Sequence, residues 1–136
     1  MKRYAILALA LVAGAAQAEK DTIGVHGVTY HSPNIYCDNG QNPGLYYSNG
    51  NTGFTVGTYY NSCKRQSEYI GWKSPDAYGL SVMFVAVTGY VKEVTPMIAP
   101  TFELNTSRFV KDSSIRITGG SWARMDVYHL SVERRF

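Results

Sequence analysis

The sequence predicts an all-β chain: an eight-stranded antiparallel up-and-down β-barrel of the outer-membrane type. Three observations carry that expectation. After residue 18 no segment places apolar residues at helical spacing, while short runs rich in Val, Ile, Thr, Tyr and Phe alternate with clusters of Gly, Pro, Asn, Asp and Ser. Eight such runs can be marked, and eight barrel strands of ~9–11 residues take about 80 of the 118 residues left when an 18-residue leader is removed from 136, leaving seven connections of roughly five residues each. Eleven tyrosines supply amphipathic rings of the kind that sit at a bilayer interface. No apolar run after the leader approaches the ~20 residues of a membrane-spanning helix, so a helical membrane protein is excluded.

The leader comes first in the chain. Lys2 and Arg3 make a positive start, Tyr4 to Ala15 is almost unbroken apolar sequence, and Ala16-Gln17-Ala18 is a small-x-small cleavage site. Residues 1–18 are therefore expected to be a secretory signal peptide, and residues 19–136 a single domain. Lys2 and Arg3 also account for two of the three net positive charges, so the mature chain is nearly neutral and nucleic acid is not an expected partner.

The runs follow in order. The first, 22–31, contains His26 between two glycines, which offers it no partner by sequence. The second, 43–49, stops at the turn residues Asn49-Gly50-Asn51. In the third, 53–61, Phe54, Val56 and Tyr60 share one face while Thr55, Gly57, Tyr59 and Asn61 share the other. The fourth, 67–73, stops at Ser74-Pro75-Asp76. In the fifth, 78–90, Leu80, Val82, Phe84 and Ala86 form one face, yet Met83, Val85 and Val87 make the opposite face apolar as well. That second apolar face implies an interior packed with apolar side chains, or one shaped to accept an acyl chain. The sixth, 96–104, carries Pro96 and Pro100, which donate no backbone hydrogen bond and weaken the ladder where they stand. In a closed barrel such a place is a candidate lateral opening for a lipid; in a sandwich it would mark an edge. The seventh is 113–119. In the eighth, 125–136, Tyr128, Leu130, Val132 and Phe136 face one way and His129, Ser131, Glu133 and Arg135 the other, with Arg134 interrupting the apolar face close enough to the boundary to snorkel.

With an even strand number and both ends on the periplasmic side, the first and third connections face outward. The two cysteines, Cys37 and Cys63, lie in those connections, and export delivers them to an oxidising compartment. A Cys37–Cys63 disulfide is expected, closing a loop of about 26 residues with roughly 3 kcal/mol of stabilisation in the chain-entropy account. It would bring His31 beside Asn61-Ser62. A serine hydroxyl is a poor nucleophile until a neighbouring base takes its proton, so Ser62 with His31 and an orienting group, Asn61 or Asp38, would form an acyl-transfer site. The plainer alternative is that Asn-Ser is turn chemistry and His31 an ordinary strand-end residue. A secondary candidate is the set His129, Ser131 and Glu133. Its members share a face of the last run but stand ~6.5–7 Å apart at each step, which equally fits a polar interior. No metal-ligand spacing, phosphate-binding loop or nucleotide motif occurs, and no cofactor is expected.

The order of GTYYNSCKRQSEYIGW (57–72), an apolar strand ending VTGY (87–90), TPMIAP (95–100) and an aromatic-terminated last strand resembles the lipid A palmitoyltransferase family, the small outer-membrane barrels called PagP. That resemblance implies transfer of an acyl chain from a phospholipid to lipid A, by a histidine of the first outward loop and an Asp-Ser pair of the second. On this chain Ser62 matches the serine, His31 the histidine, and Asn61 stands where the family has aspartate. His129-x-Ser131 is similar to the His-x-Ser of barrel-type lipid A deacylases. The same stretches, with QNPGLYY (41–47), also resemble small exported proteins of phage and proteobacterial genomes.

The expected function is thus a lipid-modifying acyltransferase of the outer membrane, acting as a monomer with a membrane lipid, lipid A or phospholipid, as its partner. Two alternatives stand beside it. One is a non-enzymatic outer-membrane or phage-encoded surface barrel whose outward loops make contacts. The other is a soluble periplasmic β-domain, a small barrel or sandwich, that binds an apolar ligand.

Overall fold

The computed structural model describes residues 20–32, 39–90, 92–122 and 125–136; the expected signal peptide, Cys37 and Asp38 lie outside them. Eight strands run in order: β1 (Thr22–Ser32), β2 (Gln41–Ser48), β3 (Phe54–Tyr60), β4 (Gln66–Lys73), β5 (Leu80–Val87), β6 (Thr95–Asn105), β7 (Ser113–Trp122) and β8 (Met125–Arg135). Each pairs antiparallel with the next, and β1 pairs with β8 through ten residue partners, so the sheet closes into an up-and-down barrel. The expected all-β, eight-stranded fold is therefore what the chain adopts.

Two-residue alternation sorts the side chains as the pattern anticipates. Among the described residues three hydrophobic side chains are buried, Tyr46, Tyr69 and Val87, against sixteen polar or charged ones. The large apolar residues stand outside: Val25, Leu45, Ile70, Ile98 and Val132 are each about half exposed or more. This is the reverse of a barrel closed around an apolar core.

Strand β1 departs from simple alternation at one point. Its register against both β2 and β8 shifts between His26 and Val28, a β-bulge centred on Gly27. Without it, His31 would share a face with the outward Ile23 and Val25. With it, Val28 and Tyr30 point out while Thr29 and His31 point in. Glycine suits the place, because a Cβ on residue 27 would sit 3.0 Å from the Leu130 carbonyl oxygen.

Small residues on the inner face make room for large ones. A Cβ at Gly24 would fall inside the Tyr46 ring, and one at Gly57 would lie 2.5 Å from Tyr69. The inner face of β5 is apolar as expected, and it is filled: Met83, Val85 and Met97 pack with Tyr59 and Tyr90 against Tyr46, Tyr69 and Val87.

The β6–β7 ladder holds only from Thr101–Thr118 to Asn105–Ser114, although β6 pairs with β5 along its whole upper half. Continuing that register would set Met97–Pro100 against Gly119–Trp122, and no pair forms there among the described residues. The weak ladder expected at Pro96 and Pro100 is thus a half-open seam on the β7 side.

Candidate functional site

The site lies at the end of the barrel opposite the chain termini, where the β1–β2 and β3–β4 connections meet. His31 reaches it from the inner face of β1 by virtue of the Gly27 bulge. Ser62 reaches it from the tight turn between β3 and β4. That turn is organised by Asn61, which is fully buried. The Asn61 Oδ1 accepts from the Cys63 amide at 2.8 Å and the Arg65 amide at 3.1 Å, while its Nδ2 donates to Ser67 Oγ at 2.8 Å and the Gly89 carbonyl at 2.9 Å. These bonds use two acceptor and two donor positions, the working capacity of a side-chain amide. Gly89 has φ 84°, and a Cβ on it would be 2.6 Å from the Gln66 carbonyl oxygen, so this contact needs glycine. Lys64 adopts φ 61°, the left-handed conformation that lets the turn close behind Ser62.

The first connection is sewn onto this turn. The Asn39 amide donates to the Ser62 carbonyl at 3.0 Å and its side-chain Nδ2 to the Asn61 carbonyl at 3.3 Å. The result is the contact that the sequence suggests: Ser62 Oγ stands 3.0 Å from His31 Nε2, with Ser62 buried and His31 half-buried. With the ring proton on Nδ1, the hydroxyl donates to Nε2, which is the ground-state geometry of a serine activated by an imidazole base.

Asn61 requires a correction. Expected beside His31 as its orienting group, it spends its side chain on the turn instead and acts on Ser62 from behind. The other proposed orienter, Asp38, and the predicted partner of Cys63, Cys37, fall outside the described residues. Cys63 itself is half-buried in the turn.

The secondary set shares the inner face of β8, and each member bonds a partner outside the set. His129 Nε2 meets His26 Nδ1 at 2.8 Å and its Nδ1 meets Thr29 Oγ1 at 2.8 Å. Ser131 Oγ bonds the Tyr46 hydroxyl at 3.2 Å, and Glu133 is ion-paired with Arg116. Each member thus has its own partner on another strand, as a polar barrel interior demands. His26, to which the sequence assigns no chemistry, is the centre of this tier: its Nε2 meets the Tyr69 hydroxyl at 2.9 Å, and the Tyr46, Tyr59 and Tyr69 rings surround it at centroid distances of 4.8, 5.2 and 5.7 Å. Nearer the termini, Glu103 pairs with Arg135 and lies 3.9 Å from Arg116, giving a second, ionic tier.

Among the described residues no group of three or more His, Cys, Asp or Glu side chains is arranged to hold a metal ion. Compared with known proteins, the chain matches no protein-family model and no curated protein sequence.

Proposed function

We propose that this chain is an outer-membrane acyl-transfer enzyme in which Ser62 is the reacting hydroxyl and His31 its general base. The observation that carries the reading is the 3.0 Å Ser62 Oγ–His31 Nε2 contact, assembled from two separate connections at one mouth of the barrel. Two further features support it. The half-exposed apolar belt around a polar interior suits a lipid surrounding better than water. The half-open β6–β7 seam offers a lipid chain a lateral path from that belt toward the mouth.

In the first half-reaction Ser62 Oγ attacks the carbonyl of an acyl ester as its proton passes to His31 Nε2. The carbonyl–oxygen bond to the leaving alcohol then breaks, and His31 returns the proton to that alkoxide. An acceptor hydroxyl, of lipid A or another membrane lipid, next gives its proton to His31 and attacks the acyl-serine. Ser62 leaves and recovers the proton. A Cys37–Cys63 disulfide formed on export would hold the two connections in this register.

The test is mass spectrometry of lipid A and phospholipids from cells making the wild-type, Ser62→Ala or His31→Ala protein. The expected result is an acyl-shifted lipid with the wild type only, with turnover falling on the order of 10²–10⁴-fold in His31→Ala. Identical lipid profiles in all strains would overturn the reading. One observation favours a second reading, a non-enzymatic surface barrel: the apolar patch of β5 that would accept an acyl chain is occupied by the chain's own tyrosines.

A further inference from the structure

At the rim that carries the chain ends, β6 and β7 are joined by a turn that is held rigidly. The Thr106 carbonyl accepts from the Phe109 amide at 2.8 Å and the Val110 amide at 3.1 Å, the Ser113 amide returns to Val110 at 3.1 Å, and the Thr106 and Ser113 hydroxyls bond at 2.8 Å. The base of the turn is pinned to the last strand by the Arg135 amide on the Asp112 carbonyl at 2.8 Å. A turn so well bonded has no need of apolar side chains at its tip. It nevertheless presents Phe109 at 85% and Val110 at 62% exposure, between Arg108 and Lys111, which are exposed and without an ion pair among the described residues.

The neighbouring β4–β5 turn repeats the pattern. It is tied to β6 by the Glu103 amide on the Gly79 carbonyl at 2.7 Å, and its tip, Tyr78, is fully exposed in a left-handed conformation with φ 55°. Side chains other than glycine adopt that backbone reluctantly, so the ring is held out against both its conformational preference and the hydrophobic effect. Outward Leu80, Phe102 and Leu104 bring the apolar belt to the strand ends from which these turns leave.

Two aromatic tips on one rim beside an apolar belt, one of them flanked by cations without an ion pair among the described residues, match one surface chemically: the boundary of a phospholipid leaflet, where rings enter the acyl edge and cations meet phosphate. We infer that Tyr78, Phe109 and Val110, with Arg108 and Lys111, form a docking surface for anionic phospholipid headgroups, which anchors this sector of the barrel to the leaflet on the side of its termini. The inference rests on the membrane reading above but not on the acyl-transfer chemistry.

The test reconstitutes the full mature chain in vesicles containing brominated phospholipids and reads tryptophan quenching. Trp122→Phe leaves outward Trp72 as a belt reporter, and Phe109→Trp with Trp72→Phe and Trp122→Phe places the reporter at the turn. Both reporters are expected to be quenched. Adding phosphatidylglycerol to phosphatidylcholine should deepen the quenching at position 109, and Arg108→Gln with Lys111→Gln should reduce that preference by about fivefold for each cation removed. An unquenched Trp72 overturns the membrane reading and the anchor with it. A quenched Trp72 beside an unquenched tryptophan at 109 overturns the anchor alone, as does quenching at 109 that is indifferent to phosphatidylglycerol and to both cations.

Discussion

Asn61 holds its turn through both ends of its amide, so an aspartate in its place would be a chemical change rather than a conservative one. Its Nδ2 donates to two acceptors, Ser67 Oγ and the Gly89 carbonyl, while its Oδ1 accepts from two amides. An aspartate would keep the acceptor side, lose both donors and aim a buried negative charge at the Gly89 carbonyl. Asn61→Asp is therefore expected to destabilise the barrel by about 1–3 kcal/mol and to displace Ser62 from His31, not to improve a catalytic group. Denaturant unfolding together with the ¹⁵N shift of His31 Nε2 would check this. A variant as stable as the wild type, with an unchanged His31 signal, would show that the donor assignment is wrong.

Among the elements, β1 is the one whose local geometry decides the site. A one-residue change of phase turns every following side chain to the other face of a sheet, and the Gly27 bulge makes that change between His26 and Val28. Deleting Gly27 removes the extra residue and the phase change together: His26 and Val28 already face the consecutive residues Ser131 and Leu130, so Val28 and Tyr30 stay outward and Thr29 and His31 inward. The Ser62–His31 contact and the compact, heat-modifiable form on a gel are therefore expected to survive the deletion. A deletion variant in which His31 no longer bonds Ser62 would show that the bulge does more than absorb one extra residue. Strand β6 shows the opposite case, in which a sequence feature translates directly: Pro96 and Pro100 remove two donors, and the β7 ladder begins only at Thr101.

For the whole molecule the balance turns on buried polarity. With few buried hydrophobic residues, the interior depends on bonds between tiers, above all on Arg116, whose guanidinium pairs with Glu133 and lies 5.9 Å from the Tyr46 ring centroid. Both side chains are almost fully enclosed, so neither charge can turn to water. Arg116→Met should cost roughly 3–5 kcal/mol by leaving Glu133 uncompensated, and adding Glu133→Gln should recover most of that loss. Guanidinium unfolding of the two variants decides the matter: a double variant no more stable than the single would mean that lost packing, rather than the orphaned charge, sets the cost.

The strand number, the faces of the third, fifth and eighth runs and the barrel itself were legible in the chain, because period-two alternation and turn residues are local properties that survive in any sheet closing on itself. The meeting of His31 with Ser62 was legible in outline too, since connection parity places both on one rim. What lay beyond the sequence depended on distance in space. Nothing near Asn61 in the chain shows that Gly89 will present it a carbonyl across a hairpin, and so its task as holder of the turn, not orienter of the base, emerges only in the folded molecule. His26, set between glycines with no neighbour to react with, gains His129 and Tyr69 from strands far away in sequence. The Gly27 bulge is invisible for the same reason: an extra residue is known only by the partners it fails to pair with, and those partners are supplied by β2 and β8.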